Sequence, residues 1–158
     1  MEIKILGCGG SFGSPLAWER NGNININNKK NYRTRSSILI NYNSTNLLID
    51  TSPDLRQQLY NAKCTNIDAV LYTHLHSDHV SGLPDMRAIS LINKKIIPAY
   101  MSIEMQKSIL SNYKYIFKGD KEYRPFMEIK NLKNRMIINN IEIQSFKHNH
   151  GAIDVQSF

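Results

Sequence analysis

Residues 73–83 read THLHSDHVSGL and set His74, His76, Asp78 and His79 within six positions of one another. The chain has five histidines, and the other two, His148 and His150, stand together in KHNHG (147–151). At this chain's own usage of histidine and aspartate, an H-x-H-x-D-H pattern arises by chance with a probability on the order of 10⁻⁴, far below that of a short glycine motif. One histidine in a polar loop is most simply a hydrogen-bonding group. Four ligand-type side chains so close together favour a metal site.

Working outward, IDAVLYT (67–73) is a short apolar run with β-branched and aromatic residues, which predicts a buried strand delivering the motif at its C-terminal end. That is where α/β proteins commonly place their chemistry. In an extended segment, residues two apart point the same way, so His74 and His76 can share one ion, while Asp78 and His79 must turn toward a neighbouring position. Catalytic zinc takes three protein ligands and keeps a place for water, so a third ligand must come from elsewhere. His148 and His150 both qualify. The choice of a metal over a lone base is one of magnitude. Zinc lowers the pKa of bound water from about 15.7 to about 7, whereas a histidine acting alone as general base gives about 10²- to 10⁴-fold.

Upstream, EIKIL (2–6) alternates as a half-buried strand does, and GCGGSFGSP follows as a glycine-rich turn. SSILINY and TNLLID flank Asn43-Ser44 and predict a β-hairpin over 36–50. In TSPDLRQQLYNAK, Ser52 is the expected N-cap, Pro53 the first helical residue, and Leu55, Leu59 and Ala62 share a face. The segment NGNININNKKN (21–31) reads as a polar surface loop. Downstream, Pro84 opens a helix through about Leu91, IIPAYM (96–101) reads as a strand and SIEMQKSILSNY (102–113) as a helix. RMIIN and IEIQSF, joined by Asn139-Asn140, read as two strands leading to the second histidine pair.

At 158 residues, 41% hydrophobic and 21% charged, the chain suits one globular domain spanning 1–158. No apolar run approaches the roughly 18 residues needed to span a bilayer, and MEIKILGCGG lacks a signal-peptide core, so the cytoplasm is the expected compartment. Cys8 and Cys64 make no disulfide framework and are expected to be reduced. The net charge of +7 either favours phosphate-bearing partners or reflects a solvated basic surface, since Lys and Arg are scattered along the chain.

The histidine motif after a buried strand, GCGGS (7–11), IDTSPDLRQQL (49–59), IDAVLYTHLHSDHVSGLPDMR (67–87) and FKHNHG (146–151) together resemble the metallo-β-lactamase-fold hydrolases. Within them they resemble the branch related to phosphoribosyl 1,2-cyclic phosphate phosphodiesterases. The resemblance covers nearly the whole chain. It implies an α/β fold, the four-layer αββα sandwich, with a dinuclear metal site at the edge between the sheets. It further implies His74, His76 and His150 as ligands of the first metal and Asp78 and His79 as part of the second site, with Asp78 and Arg87 catalytic. His150 is preferred to His148 because the family's ligand is commonly followed by glycine, here Gly151. His148 is then a loop histidine or a proton-transfer group. Arg87 either meets a substrate phosphate as a bidentate donor or pairs with Asp85 at the surface. Asp50 either supports a metal ligand or makes strand-end hydrogen bonds. Asp54 is either close to the site or a first-turn helix carboxylate.

Relatives carry a bridging aspartate and a last histidine well downstream of the position matching His150, and Asp154 falls too early to be the former. The sandwich is therefore expected to be incomplete at the C-terminus, holding one ion or none where the family holds two. Zinc is the expected metal, with manganese or iron as alternatives. The resemblance implies a metal-dependent phosphodiesterase acting on a small cyclic phosphate ester. The alternatives are a truncated, catalytically inactive remnant and a nuclease of the tRNA 3′-processing type, for which no RNA-binding arm is visible. A small phosphate ester is the expected partner, nucleic acid a less favoured one, and no membrane is involved. Ile137, Ile141 and Ile143 are expected to be partly uncovered, which predicts a chain that is either self-associated or marginally folded.

Overall fold

Strand β4 (Ala69–Leu71) is buried along its whole length, and the architecture is arranged around it. A computed structural model describes residues 1–19 and 24–158. β4 sits inside a six-stranded sheet of order β1 (Glu2–Gly7), β2 (Ser37–Tyr42), β3 (Thr45–Ile49), β4, β5 (Ile97–Met101) and β6 (Met127–Asn131). The first three strands are antiparallel neighbours, and β3 through β6 run parallel. Parallel strands need crossovers, which here are helices: α1 (Leu55–Ala62), α2 (Ser77–Val80), α3 (Met86–Asn93) and α4 (Ile103–Lys118). The larger core lies on the helical side, where Leu48, Val70, Tyr72, Leu83, Met86, Ile97 and Ile116 are fully buried.

The opposite face of the sheet carries Leu47, Ala69 and Leu71, covered by Ile138 and Ile143. These come from the hairpin β7 (Arg135–Ile138) and β8 (Ile141–Gln144), and a second hairpin follows, β9 (Phe146–His150) and β10 (Ile153–Ser157). Helices, a six-stranded sheet and a second β-layer are thus stacked in αββ order. Among the described residues no helix covers the outer side of that second layer.

Turn chemistry explains the chain reversals. Asn43 and Ser44 adopt φ of 46° and 64°, the left-handed pair that a two-residue hairpin loop needs to follow the twist of its strands. Ser102 caps α4 by accepting from the Met105 amide, and α4 runs on past Tyr113, where the backbone breaks at φ −127° before continuing to Lys118.

Four expectations are corrected. β1 is not half-buried: Ile3 and Ile5 are exposed, because they face the side of Ile40 and Ile38 at the sheet edge, beyond the reach of the second β-layer. Ser52 is not the N-cap of α1; that place belongs to Asp54, whose own amide donates to Ser52 Oγ. Ile143 is buried rather than uncovered, whereas Ile137 is 72% exposed and Ile141 intermediate. Pro84 opens a 3-10 turn (Leu83–Asp85) and α3 proper begins at Met86. Residues 21–23 of the Asn-rich loop lie outside the described residues; of the rest, residues 25–30 are exposed and Ile24 and Asn31 partly buried, with a 3-10 turn at Lys29–Asn31.

Candidate metal centre

The end of β4 is where the histidine motif leaves the sheet. Backbone bonds fix its course: the Thr51 amide donates to the His79 carbonyl (2.8 Å) and the Gly82 amide to the Thr51 carbonyl (2.9 Å). Gly82 is required by contact, since a Cβ there would lie 2.1 Å from the Ser52 carbonyl oxygen. His74 and His76 leave the strand on one side, as alternation demands. The hairpin β9–β10 then brings His150 against them.

One ring nitrogen each of His74, His76 and His150 can be chosen so that all lie within 4.8 Å of one another. His74 Nε2 and His76 Nδ1 are 3.1 Å apart. Two such nitrogens face each other comfortably only around a shared proton or a shared cation, and a third imidazole at the same point suits a cation. The protonation state fits. Burial, followed by the neighbouring His79, His76 and His150, lowers the His74 pKa from 6.5 to about 4, so its imidazole is neutral and has a lone pair to give.

A single buried carboxylate sets the tautomers. Asp50, 3% exposed and held at φ 59°, accepts from the Thr73 amide (2.8 Å) and from the Thr73 hydroxyl (2.7 Å). With its hydrogen given to Asp50, Thr73 Oγ1 has only lone pairs to offer His74 Nδ1, 2.8 Å away, so Nδ1 carries the proton and Nε2 points unprotonated into the cluster. Asp50 Oδ2 also takes a bond from His79 Nδ1 at 2.6 Å. His79 Nε2 then faces Asp78 Oδ2 at 3.3 Å. Although burial opposes a charge on His79, the Asp50 bond and the charges of Asp50 and Asp78 raise its pKa.

Asp78, which is buried, and His79 thus form a pair directly beside the three-histidine cluster; the His74 and His79 ring centroids are 4.1 Å apart. His148 lies outside it, with Nδ1 3.1 Å from Ser157 Oγ on the neighbouring strand. Asp54 is turned away as well: it accepts from the Arg35 amide and lies 2.9 Å from Arg35 Nε. Arg87 is on another surface. Its guanidinium lies 4.9 Å from the centre of the Tyr123 ring, and the residue lines a groove between α1 and α3 in which no histidine takes part. Asp85 lines the same groove and forms no ion pair with Arg87.

Two features escaped the sequence. Thr73 read only as a strand residue, although it is the link between Asp50 and His74. A cleft of about 230 Å³ opens beside His74, walled by Leu75, Met105, Ile153 and Gln156 together with Lys147, whose ammonium lies 3.5 Å from Asp154 and 3.7 Å from Glu104. Only the adjacency of Lys147 to His148 hinted at it.

Parallel strands ending in a histidine-aspartate cluster, backed by a second β-layer, define the metallo-β-lactamase fold. Residues 45–157 match the beta-lactamase superfamily domain, and the chain belongs to that family. It is 36% identical over 119 residues to an octanoyltransferase of Porphyromonas gingivalis, covering 75% of this chain and 24% of that protein. It is 32% identical over 88 residues to the ribonuclease Z of Clostridium kluyveri, covering 54% of this chain and 24% of that one. Among solved structures, a diphosphatase of the PhnP family superposes with a TM-score of 0.83 at 25% identity, over 98% of this chain and 59% of that chain. Zinc-bound PqqB from Methylobacterium extorquens shares the fold, with a TM-score of 0.65 at 21% identity over 93% of this chain and 52% of that one. The chain spans about a quarter of the length of the first two relatives.

Proposed function

We propose that this chain is the metal-binding part of a phosphodiesterase that hydrolyses a small phosphate ester, a cyclic phosphate being the favoured form. The observation that carries the reading is the convergence of His74, His76 and His150. The likeness to a diphosphatase over nearly the whole chain directs the chemistry toward phosphorus. The cleft of about 230 Å³ beside His74 favours a small substrate, and the +7 charge draws anions toward the surface.

His74 through Nε2, His76 through Nδ1 and His150 would hold one divalent ion, zinc being preferred for an all-imidazole set and manganese or iron the alternatives. Asp78 and His79 Nε2 would hold part of a second. The chemistry such an ion supplies when bound is that of a Lewis acid, which lowers the pKa of water and withdraws charge from a phosphoryl oxygen. The protein's own groups do the rest. Asp78 Oδ2 is a buried acceptor placed to take a hydrogen bond from the attacking water and to orient it. Asp50 and Thr73 keep His74 Nε2 free of its proton.

A second reading, a nuclease, is supported by the likeness to ribonuclease Z and by the exposed, edge-to-face pair Phe12 and Trp18, which offers stacking faces to unpaired bases. Turnover of bis(p-nitrophenyl) phosphate, of a small cyclic phosphodiester and of a tRNA precursor with a 3′ extension, each with zinc, manganese or iron, separates the readings. The expected result is metal-dependent cleavage of the small esters that His76→Ala abolishes. Cleavage confined to the tRNA precursor favours the nuclease. Tight metal binding with no turnover of any substrate indicates an inactive remnant.

A further inference from the structure

α1 and α3 lie side by side on the outer helical layer and leave between them an open groove of about 700 Å³, three times the volume of the cleft beside the histidines. The two share no lining residue. Helical periodicity builds its walls. On α1, Arg56, Tyr60 and Lys63 fall four and three residues apart and form one stripe. On the other side, Pro84, Arg87 and Leu91 repeat with the same spacing. Leu59 and Ile89, both nearly buried, make an apolar floor, and Leu91 and Tyr60 stand 59% and 79% exposed above it.

Charge distinguishes this groove from an ordinary seam between helices. Arg56, Lys63 and Arg87 line it, and among the described residues none of the three takes part in an ion pair, although five other Lys or Arg side chains do. The one carboxylate in the lining is Asp85. Arg87 is held over the Tyr123 ring, which orients its guanidinium without using its in-plane donors. Three uncompensated cations around an apolar floor are complementary to a molecule with an anionic head and an apolar body. The volume lies within the range of small-ligand sites.

From this we infer a second ligand site, distinct from the histidine cluster, that takes a soluble amphipathic anion: a carboxylate, sulfonate or phosphate head on an alkyl chain or ring. The head sits among Arg56, Lys63 and Arg87, and the body covers Leu59, Ile89 and Leu91. The inference does not depend on the proposed phosphodiesterase reading, because no residue is common to the two sites.

The test uses 1-octanesulfonate, whose head is not a hydrolysable ester, titrated calorimetrically into the full chain, with displacement of the dye 1-anilinonaphthalene-8-sulfonate as a second readout. One molecule should bind per chain. The double reversal R56E/R87E changes two exposed side chains, and each lost charge-assisted contact should weaken binding about tenfold. K63E provides a separate single variant should the double one fold poorly. His76→Ala should leave octanesulfonate binding unchanged. The inference is overturned if the charge reversals leave the affinity as it was, if 1-octanol binds as tightly as the sulfonate, if His76→Ala abolishes binding, or if the groove proves to be closed by a second copy of the chain in solution.

Discussion

The buried Asp50 carboxylate makes three polar contacts, to the Thr73 amide and hydroxyl and to His79, and the Asp50 backbone carbonyl accepts from Ser37 Oγ. Asp50→Asn preserves its size and removes the charge that orders both histidines, so metal affinity should fall about 10- to 100-fold, measured by competition with a chromogenic chelator. An unchanged affinity would show that the strand-end hydrogen bonds, not the charge, are what matter. The two histidines it serves also give the metal-free chain a characteristic pH dependence. His74 titrates near 4 when folded and near 6.5 when unfolded, so the unfolded state binds more protons between those values and stability falls as pH drops from 6.5 toward 4. His79 works in the other direction: its folded pKa is raised, so its stabilising contribution is complete below 6.5 and fades as pH rises through the higher folded value. Urea midpoints with chelator present should therefore be highest close to pH 6.5, and His74→Gln should flatten the acid side.

At the level of elements, the hairpin β9–β10 is the one on which the third histidine depends. Gly151 turns it at φ 64°, directly after His150. Gly151→Ala meets no atom but must adopt a left-handed backbone, at a cost of about 1 kcal/mol, and should weaken metal binding by displacing His150 while leaving the melting of the main sheet nearly unchanged. Calorimetry of metal binding together with thermal unfolding checks this. Much of the fold was legible because periodicity and turn residues agreed: the hairpin through Asn43-Ser44, the buried strand before the motif and the helices after Pro53, Pro84 and Ser102 all stand where local chemistry put them, within a few residues. β6, β9 and β10 were not read, and His148 and His150, expected in a loop, stand on β9. MEIKN and IDVQS are short and carry charged or amide residues among their apolar ones, and only pairing with β5 and β9 makes them strands. The site divides in the same way. The three-histidine cluster could be anticipated from residue types, but the direction of Arg87 is set by Tyr123, a residue 36 positions away that no local pattern ties to it.

Across the whole molecule, burial is lopsided. The helical side of the sheet has a continuous core, whereas Ile3 and Ile5 at the sheet edge are exposed at 56% and 70%, and Ile137, which alternates with the inward-packed Ile138, is 72% exposed on the outer side of the second β-layer. Side chains of this kind forgo about 25 cal/mol for each Å² of apolar surface left in water, which favours association. Size-exclusion chromatography should show a concentration-dependent shift to larger species, and Ile137→Lys should reduce it; a monomer at all concentrations would count against this.

The hairpin that supplies His150 is fastened to the main sheet end by a backbone bond from the Gln156 amide to the Thr73 carbonyl, while its ligand lies some seventy residues along the chain from His76. An ion gripped by both would act as a removable cross-link closing a long loop, and closing a loop of that size restricts the unfolded ensemble far more than it changes the folded one. Deuterium uptake should then fall on metal addition chiefly in residues 146–157, with β3 and β4 already protected. Uniform protection across the chain would mean instead that the ion stabilises the domain as one cooperative unit, with no separate latch between its two β-layers.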